Sequence, residues 1–254
     1  VRRSHHPRAP NTLAIINEGR TELDDAMVGL RRCPLASLLL IVLAGSGCDR
    51  VKIGRYPINT ILPTGIKTGE RLPLVIYFHG LGGSPTRAMA AWQPIAARAR
   101  AIVVIPEAVD RLPLGDVYWK DLEETDELAL KIVEWARSRY SLDDRQIVTA
   151  GNSEGASYAM AIGSRHPDTF AGIVSISGGS GPDILPKAGT GMRVVLLCGT
   201  VDSLFSLNEG AAEELQTRGL AFEFRKYPGV GHAYPPDATK ELTSSLDFVL
   251  KRTK

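Results

Sequence analysis

From residue 72 onward the chain alternates short, β-branched apolar runs with longer segments of helical periodicity, and this pattern constrains its fold more than any other feature. Residues 74–78, 101–105, 146–150, 171–176, 193–197 and 221–227 read as strands. Residues 86–100, 123–140, 156–165, 207–218 and 239–251 read as helices. In the segment 123–140, Leu128, Ile132 and Trp135 fall on one face, with Glu127, Lys131 and Glu134 nearer the other. Strands written as continuous apolar runs are covered on both faces, so the pattern predicts a mostly parallel sheet with helices on both sides. Residues 51–71 leave two readings open, an early hairpin or edge strands. A length of 254 residues suits one α/β core rather than two.

The first part of the chain is composed differently. Arg31 and Arg32 precede an apolar run over residues 35–44, followed by Gly45, Ser46, Gly47 and Cys48. A basic region, an apolar region and small residues are the parts of an export signal. The apolar run is about half the length a membrane-spanning helix requires. Small residues directly before Cys48 resemble a bacterial lipobox, in which the thiol is acylated and becomes the new N-terminus, although Gly45 stands where Leu is usual. The expected division is a leader over residues 1–48 and a catalytic domain over 49–254. The polar, partly acidic residues 1–26 fit a basic region poorly, so translation is expected to start at Met27 or Val28. Export then places the protein outside the cytoplasm, as a periplasmic or extracytoplasmic enzyme or lipoprotein, with a lipid anchor at Cys48 as its only membrane contact. Of the 30 basic and 28 acidic residues, the leader holds six and four, which leaves 24 of each in the mature domain. Cys33 would leave with the leader and Cys48 would be acylated. Cys198 is left as a small buried hydrophobe with no disulfide partner.

Within the strand-helix pattern, Gly151-Asn152-Ser153-Glu154-Gly155 stands where the run at 146–150 gives way to a helix ended by His166-Pro167. A G-x-S-x-G pentapeptide between strand and helix makes a sharp turn that exposes its serine, while the glycines let strand and helix approach. The pentapeptide alone is weak evidence, and its context carries the inference. Ligands of such sheets bind beyond the carboxyl ends of the strands. Those ends carry, in order, His79-Gly80-Leu81-Gly82-Gly83, Ser153, Gly199-Thr200-Val201-Asp202 and Gly229-Val230-Gly231-His232. Serine, acid and histidine thus follow in the chain order of a nucleophile, an orienting carboxylate and a base.

With these residues in place the chain resembles the α/β-hydrolase superfamily, and within it the compact esterase branches. The likeness spans residues 70–254, and residues 145–178 are similar to phospholipase/carboxylesterase-type and polyhydroxybutyrate-depolymerase-like lipoprotein esterases. Those often carry Gln or Asn where this chain has Glu154. The resemblance implies an α/β-hydrolase fold and a serine esterase working through an acyl-enzyme, with Ser153 as nucleophile, His232 as base and Asp202 as its orienter. It also implies an oxyanion loop of His79, Gly80, Gly82 and Gly83, and an oxyanion hole from the backbone N–H groups of Leu81 and Glu154.

Several residues admit a second reading. His79 could serve as the base or could orient its loop, and Asp110 or Asp183 could stand in for Asp202. Glu154 also suits the first turn of a helix, where the dipole favours an acid. Tyr118, Trp119 and Tyr234 could wall a substrate pocket or pack in the interior. The glycines after His79 do not make a dinucleotide fingerprint, because Pro85 stands where the third glycine belongs, and no G-K-[ST] exists for a phosphate loop. No cofactor and no metal are expected. A net charge of +2 with no basic run interleaved with aromatics gives no basis for nucleic-acid binding. The expected partner is a small or polymeric ester. A peptidase or thioesterase on the same residues is the alternative chemistry, and a non-catalytic binding module is the alternative class. N-terminal sequencing of the exported protein is expected to find no residue before 48, and a peptide from residues 11–20 in the mature protein would contradict the assigned start.

Overall fold

Leu72–Phe78 is buried at every position, and its side chains alternate between two separate cores. Leu74, Ile76 and Phe78 face one core while Val75 and Tyr77 face the other, as the period of two along a strand requires. A computed structural model describes residues 51–250 and shows why this strand is sealed on both faces. The leader boundary, Cys33, Cys48, Met27 and Val28 lie outside the described residues.

In chain order the elements are β1 (Val51–Ile53), β2 (Tyr56–Ile61), β3 (Leu72–Phe78), α1 (Pro85–Ala99), β4 (Ile102–Pro106), β5 (Asp110–Arg111), β6 (Val117–Tyr118) and α2 (Leu122–Arg139). There follow β7 (Leu142–Asn152), α3 (Glu154–Arg165), β8 (Gly172–Ile176), a 3-10 turn (Pro182–Ile184), β9 (Arg193–Gly199), α4 (Phe205–Thr217), β10 (Ala221–Tyr227) and α5 (Ala238–Val249). Eight strands form one sheet in the order β1-β2-β4-β3-β7-β8-β9-β10. The pairs from β4 to β10 are parallel, and β1 and β2 make an antiparallel hairpin along one edge. The open reading of residues 51–71 thus resolves as a hairpin. The small antiparallel pair of β5 and β6 has too few residues to leave a periodic signal.

Helices α1 and α5 cover one face, where Trp92, Ile95, Leu242 and Leu246 meet Val103, Val148, Val174 and Val195. Helices α2, α3 and α4 cover the other, where Leu128, Ile132, Met160 and Leu215 meet Ile76, Ile147, Ile173 and Leu196. Side-chain caps begin three helices: Ser84 accepts from the Arg87 N–H, Asp121 from the Glu124 N–H and Asp237 from the Lys240 N–H. Helix α3 has no such cap, because Ser153, a residue type that usually caps, directs its hydroxyl to His232 instead.

Register places the functional loops at one level. Phe78 pairs with Gly151, Gly151 with Ser175, Ile176 with Leu197 and Gly199 with Tyr227, so five parallel strands end along one rim. Only Ser153 separates the end of β7 from the start of α3. So abrupt a reversal needs both flanking glycines: a Cβ on Gly151 would fall 2.2 Å from the Gly155 carbonyl oxygen, and one on Gly155 2.2 Å from that of Phe78. Gly155→Ala is therefore expected to destabilise the protein by about 1–3 kcal/mol or more. Gly210→Ala, inside α4 where a Cβ meets nothing within 4 Å, is expected to stabilise it, by roughly 0.5–1 kcal/mol. Urea unfolding of the two variants checks the contrast.

Candidate active site

Ser153 sits at φ 53°, ψ −124°, in the left-handed half of the map that a serine seldom occupies. Strain of this kind costs on the order of 1–3 kcal/mol and persists only where the surroundings fix it. Here the Ser153 N–H donates to the Ile176 carbonyl at 2.9 Å, and the Ser153 carbonyl accepts from Ala156 at 3.0 Å. The backbone is pinned on both sides, and Oγ is left to project past the rim.

His232 lies beyond β10 with Nε2 2.8 Å from Ser153 Oγ. Its Nδ1 is 3.0 Å from both Asp202 carboxylate oxygens. Asp202 lies just past β9 in a turn tied to the histidine loop, since the Val201 N–H donates to the Val230 carbonyl at 3.1 Å. The Asp202 side chain is wholly buried and that of His232 is 43% exposed, so the carboxylate is sealed while the ring reaches the surface. Burial alone would raise the Asp202 carboxyl. The Leu204 N–H, the His232 ring and the Ser177 hydroxyl outweigh burial and hold it below the usual carboxylate range. An ionised acid fixed against Nδ1 keeps the proton on that nitrogen and leaves Nε2 free to accept one from Ser153.

The alternative acids and the other described histidines stand away from Ser153. Asp110 pairs with Arg55 at 2.6 Å, and Asp183 is exposed in the 3-10 turn. His166 binds Asp126 at 2.9 Å where α3 ends. His79 is buried with both ring nitrogens occupied: Nδ1 donates to the Gly80 carbonyl at 2.9 Å, and Nε2 accepts from the Ala108 N–H at 3.1 Å. Burial also lowers its pKa. Of its two readings, the structure gives His79 the loop-orienting one.

The loop from His79 to Gly83 is held at several points. The Gly80 N–H donates to Asn152 Oδ1 at 3.0 Å, the Gly82 N–H to the Val117 carbonyl at 2.8 Å, and the Gly83 N–H to the Gly80 carbonyl at 2.9 Å. Leu81 is 52% exposed. Neither its backbone N–H nor that of Glu154 donates to any group among the described residues. Two residues to which the sequence assigned no role, Tyr77 and Asn152, do much of the holding. Tyr77 donates to Asn152 Oδ1 at 2.5 Å and also meets the Tyr234 hydroxyl. Because Tyr77 commits its one proton to Asn152, Tyr234 must be the donor to Tyr77. The chain Tyr234 to Tyr77 to Asn152, with Gly80 on the same oxygen, links the histidine loop, the strand-helix turn and the glycine loop. A hydroxyl near the carboxyl end of an otherwise apolar buried strand was the available signal for Tyr77.

The three aromatic candidates separate. Tyr234 lines a cavity of about 360 Å³ with Gly80, Leu81, Arg87 and Asn152. Trp119 does not line it: the residue is 2% exposed, gives its indole N–H to the His79 carbonyl at 2.8 Å and packs on Phe78, so it takes the interior reading. Tyr118, in β6, is also not among the lining residues. Cys198 is buried, with its thiol pushed up to about 12 by burial and the Asp202 charge. Among the described residues no group of three or more potential metal ligands occurs, and no helix is long and apolar enough to cross a membrane.

Glu154 is half-buried, and its carboxylate accepts from the Trp119 N–H at 3.5 Å. Burial raises its pKa, with the Trp119 contact opposing. The folded state therefore binds this proton more tightly than the unfolded chain, so the ionised side chain opposes folding above its folded-state pKa. That opposition is absent below the unfolded value of about 4.3. Glu154→Gln, which keeps an acceptor for Trp119, is expected to raise Tm near neutral pH and to lose that gain at about pH 3. Thermal melts of both proteins at the two pH values check it.

A family model described as "Putative esterase" matches residues 53–183. Among solved structures, the chain is similar to an esterase from Pyrobaculum calidifontis at 18% identity and TM-score 0.59, covering 77% of this chain and 80% of that one. It is similar to a ferulic acid esterase from Anaeromyces mucronatus at 19% identity and TM-score 0.59, covering 76% and 84%. A third likeness, to an S-formylglutathione hydrolase from Agrobacterium tumefaciens, has 15% identity and TM-score 0.60 and covers 78% and 90%. A search of curated proteins by sequence finds no match.

Proposed function

Because the chain belongs to this esterase family and is a carboxylic ester hydrolase of the α/β-hydrolase fold, we propose that it cleaves its ester through an acyl-enzyme formed on Ser153. The observation that carries this reading is the unbroken line from Ser153 Oγ through His232 to Asp202, with contacts of 2.8 Å and 3.0 Å.

A serine hydroxyl is a poor nucleophile at neutral pH, so His232 Nε2 takes its proton as Oγ attacks the ester carbonyl carbon. Asp202 holds the ring in the accepting tautomer and stabilises the imidazolium that forms. The carbonyl oxygen becomes an oxyanion, and the backbone N–H groups of Leu81 and Glu154 are the donors assigned to it. The Glu154 N–H also lies at the start of α3, where the helix dipole favours negative charge. Loss of one such donor typically costs about 2.7–4 kcal/mol of barrier. The imidazolium returns its proton to the leaving alcohol oxygen as the ester bond breaks. Water, deprotonated by His232, then attacks the acyl-enzyme, releasing the acid and restoring Ser153.

This reading gives Glu154 no side-chain part in the reaction, so its departure from the Gln or Asn of similar esterases is compatible with catalysis. The likeness to a hydrolase of S-formylglutathione keeps a thioester among the substrates to be tried. We also read the chain as exported, on the basic and apolar segments before Cys48, with lipidation of that residue as the means of anchoring it.

Turnover of p-nitrophenyl acetate is expected to fall by about 10⁴-fold in Asp202→Asn, where the wrong tautomer faces Ser153. Ser153→Ala is expected to fall by at least as much and to lose labelling by a fluorophosphonate probe. Undiminished turnover by Ser153→Ala would end the assignment. A panel of ester, thioester and aminoacyl substrates separates the three chemistries.

A further inference from the structure

The cavity beside Ser153 has a chemical bias. Its wall at Gly80 abuts the nucleophile, since a Cβ on Gly80 would fall 3.1 Å from the Ser153 Cβ. From there it runs between the glycine loop and the first turns of α1, where Ser84, Arg87, Ala88 and Ala91 line it. No Asp or Glu lines this cavity.

Two of its nitrogen groups are uncommitted. Most guanidinium groups of the described residues are paired, those of Arg55, Arg71, Arg100, Arg137, Arg145, Arg165, Arg218 and Arg225 with carboxylates. The Arg87 guanidinium has no hydrogen bond, ion pair or ring contact among the described residues. Asn152 contributes the second group. Its Oδ1 accepts from both the Tyr77 hydroxyl and the Gly80 N–H. A backbone N–H can only donate, so the amide cannot be flipped without losing that bond. The Nδ2 donors are thereby left with no acceptor among the described residues.

The geometry points to an anion subsite in this cavity, where Arg87 and the Asn152 amide receive a carboxylate borne by the ester substrate. This rests on the proposed attack by Ser153. A guanidinium presents paired donors that match the two oxygens of a carboxylate, and a charge-assisted bond of this kind is about twice as strong as a neutral one. A hydrocarbon acyl or alcohol group would leave both donors without a partner from the substrate. The preferred substrate is thus a half-ester of a dicarboxylic acid, or an ester of a hydroxy acid. The subsite fixes which carboxyl group is left alone and which is presented to Ser153.

The experiment uses two matched pairs. p-Nitrophenyl hemiglutarate and p-nitrophenyl valerate differ in the acyl terminus, and acetylglycolate and ethyl acetate differ in the alcohol. The protein is expected to favour the anionic member of one pair by tenfold or more in kcat/KM, and that pair identifies the side of the ester the cavity holds. The ratio is expected to fall toward unity in Arg87→Ala, to drop below unity in Arg87→Glu, to recover in part in Arg87→Lys and to decline with added salt. Equal or better turnover of the neutral member in both pairs overturns the subsite, as does a ratio that Arg87→Glu does not move. If no ester is turned over and Ser153 resists the fluorophosphonate, the nucleophile assignment has failed on its own. The subsite is then read by titrating glutarate into Ser153→Ala: binding weakened tenfold by Arg87→Glu supports it, and absent or unaltered binding overturns it.

Discussion

Everything at the rim depends on the single-residue reversal at Ser153. The strand β7 ends at Asn152 and α3 begins at Glu154, so one residue in the left-handed region turns the chain. The helix must then lie so close to β3 that only hydrogen fits at Gly155, against the Phe78 carbonyl. Strain on this scale is stable because two buried cores clamp the strand from both faces and the Ile176 carbonyl holds the Ser153 N–H. The same reversal deprives α3 of a side-chain cap. Its first N–H groups are left for a ligand, and the serine hydroxyl is left for His232.

Around that point, polar contacts between loops replace packing as the source of order. Trp119 fills the space under the glycine loop and holds the His79 carbonyl, while His79 closes onto Ala108 and Gly80. On the other side, Tyr234 stands two residues after His232 and reaches Asn152 through Tyr77. The base, the nucleophile turn and the glycine loop are therefore joined through buried hydroxyls, each with its proton assigned. Such a network resists displacement, because moving any member leaves a polar group without its partner. Uncommitted donors on Leu81, Asn152 and Arg87 line the cavity beside Ser153, and the uncommitted N–H of Glu154 follows the serine directly.

Much of this was legible in the chain. The strands at residues 74–78 and 193–197 were readable because burial on both faces forces continuous apolar runs, and Ser153 because its flanking glycines answer a steric need. The hairpin of β1 and β2 was legible only as one of two readings, since an edge strand with one partly exposed face carries a weaker pattern. The start of α3 was placed two residues late, at 156, because nothing local says that a helix can begin directly after a strained serine. Tyr118 and Trp119 are neighbours in sequence and part company in space, Trp119 in the core and Tyr118 on a short hairpin. No periodicity in so short a segment distinguishes them.

By itself the sequence determined the sheet-and-helix alternation, the turn at Gly151–Gly155 and the order of serine, acid and histidine at strand ends. These are local requirements, met by residue type and spacing. Only the tertiary structure decided which acid and which histidine meet Ser153, why His79 is spent on its loop, and where Tyr77, Asn152 and Arg87 stand in relation to the nucleophile. Those contacts join residues up to 157 positions apart. They exist because the parallel register brings the strand ends to one level, a property of the assembled sheet that no single segment contains.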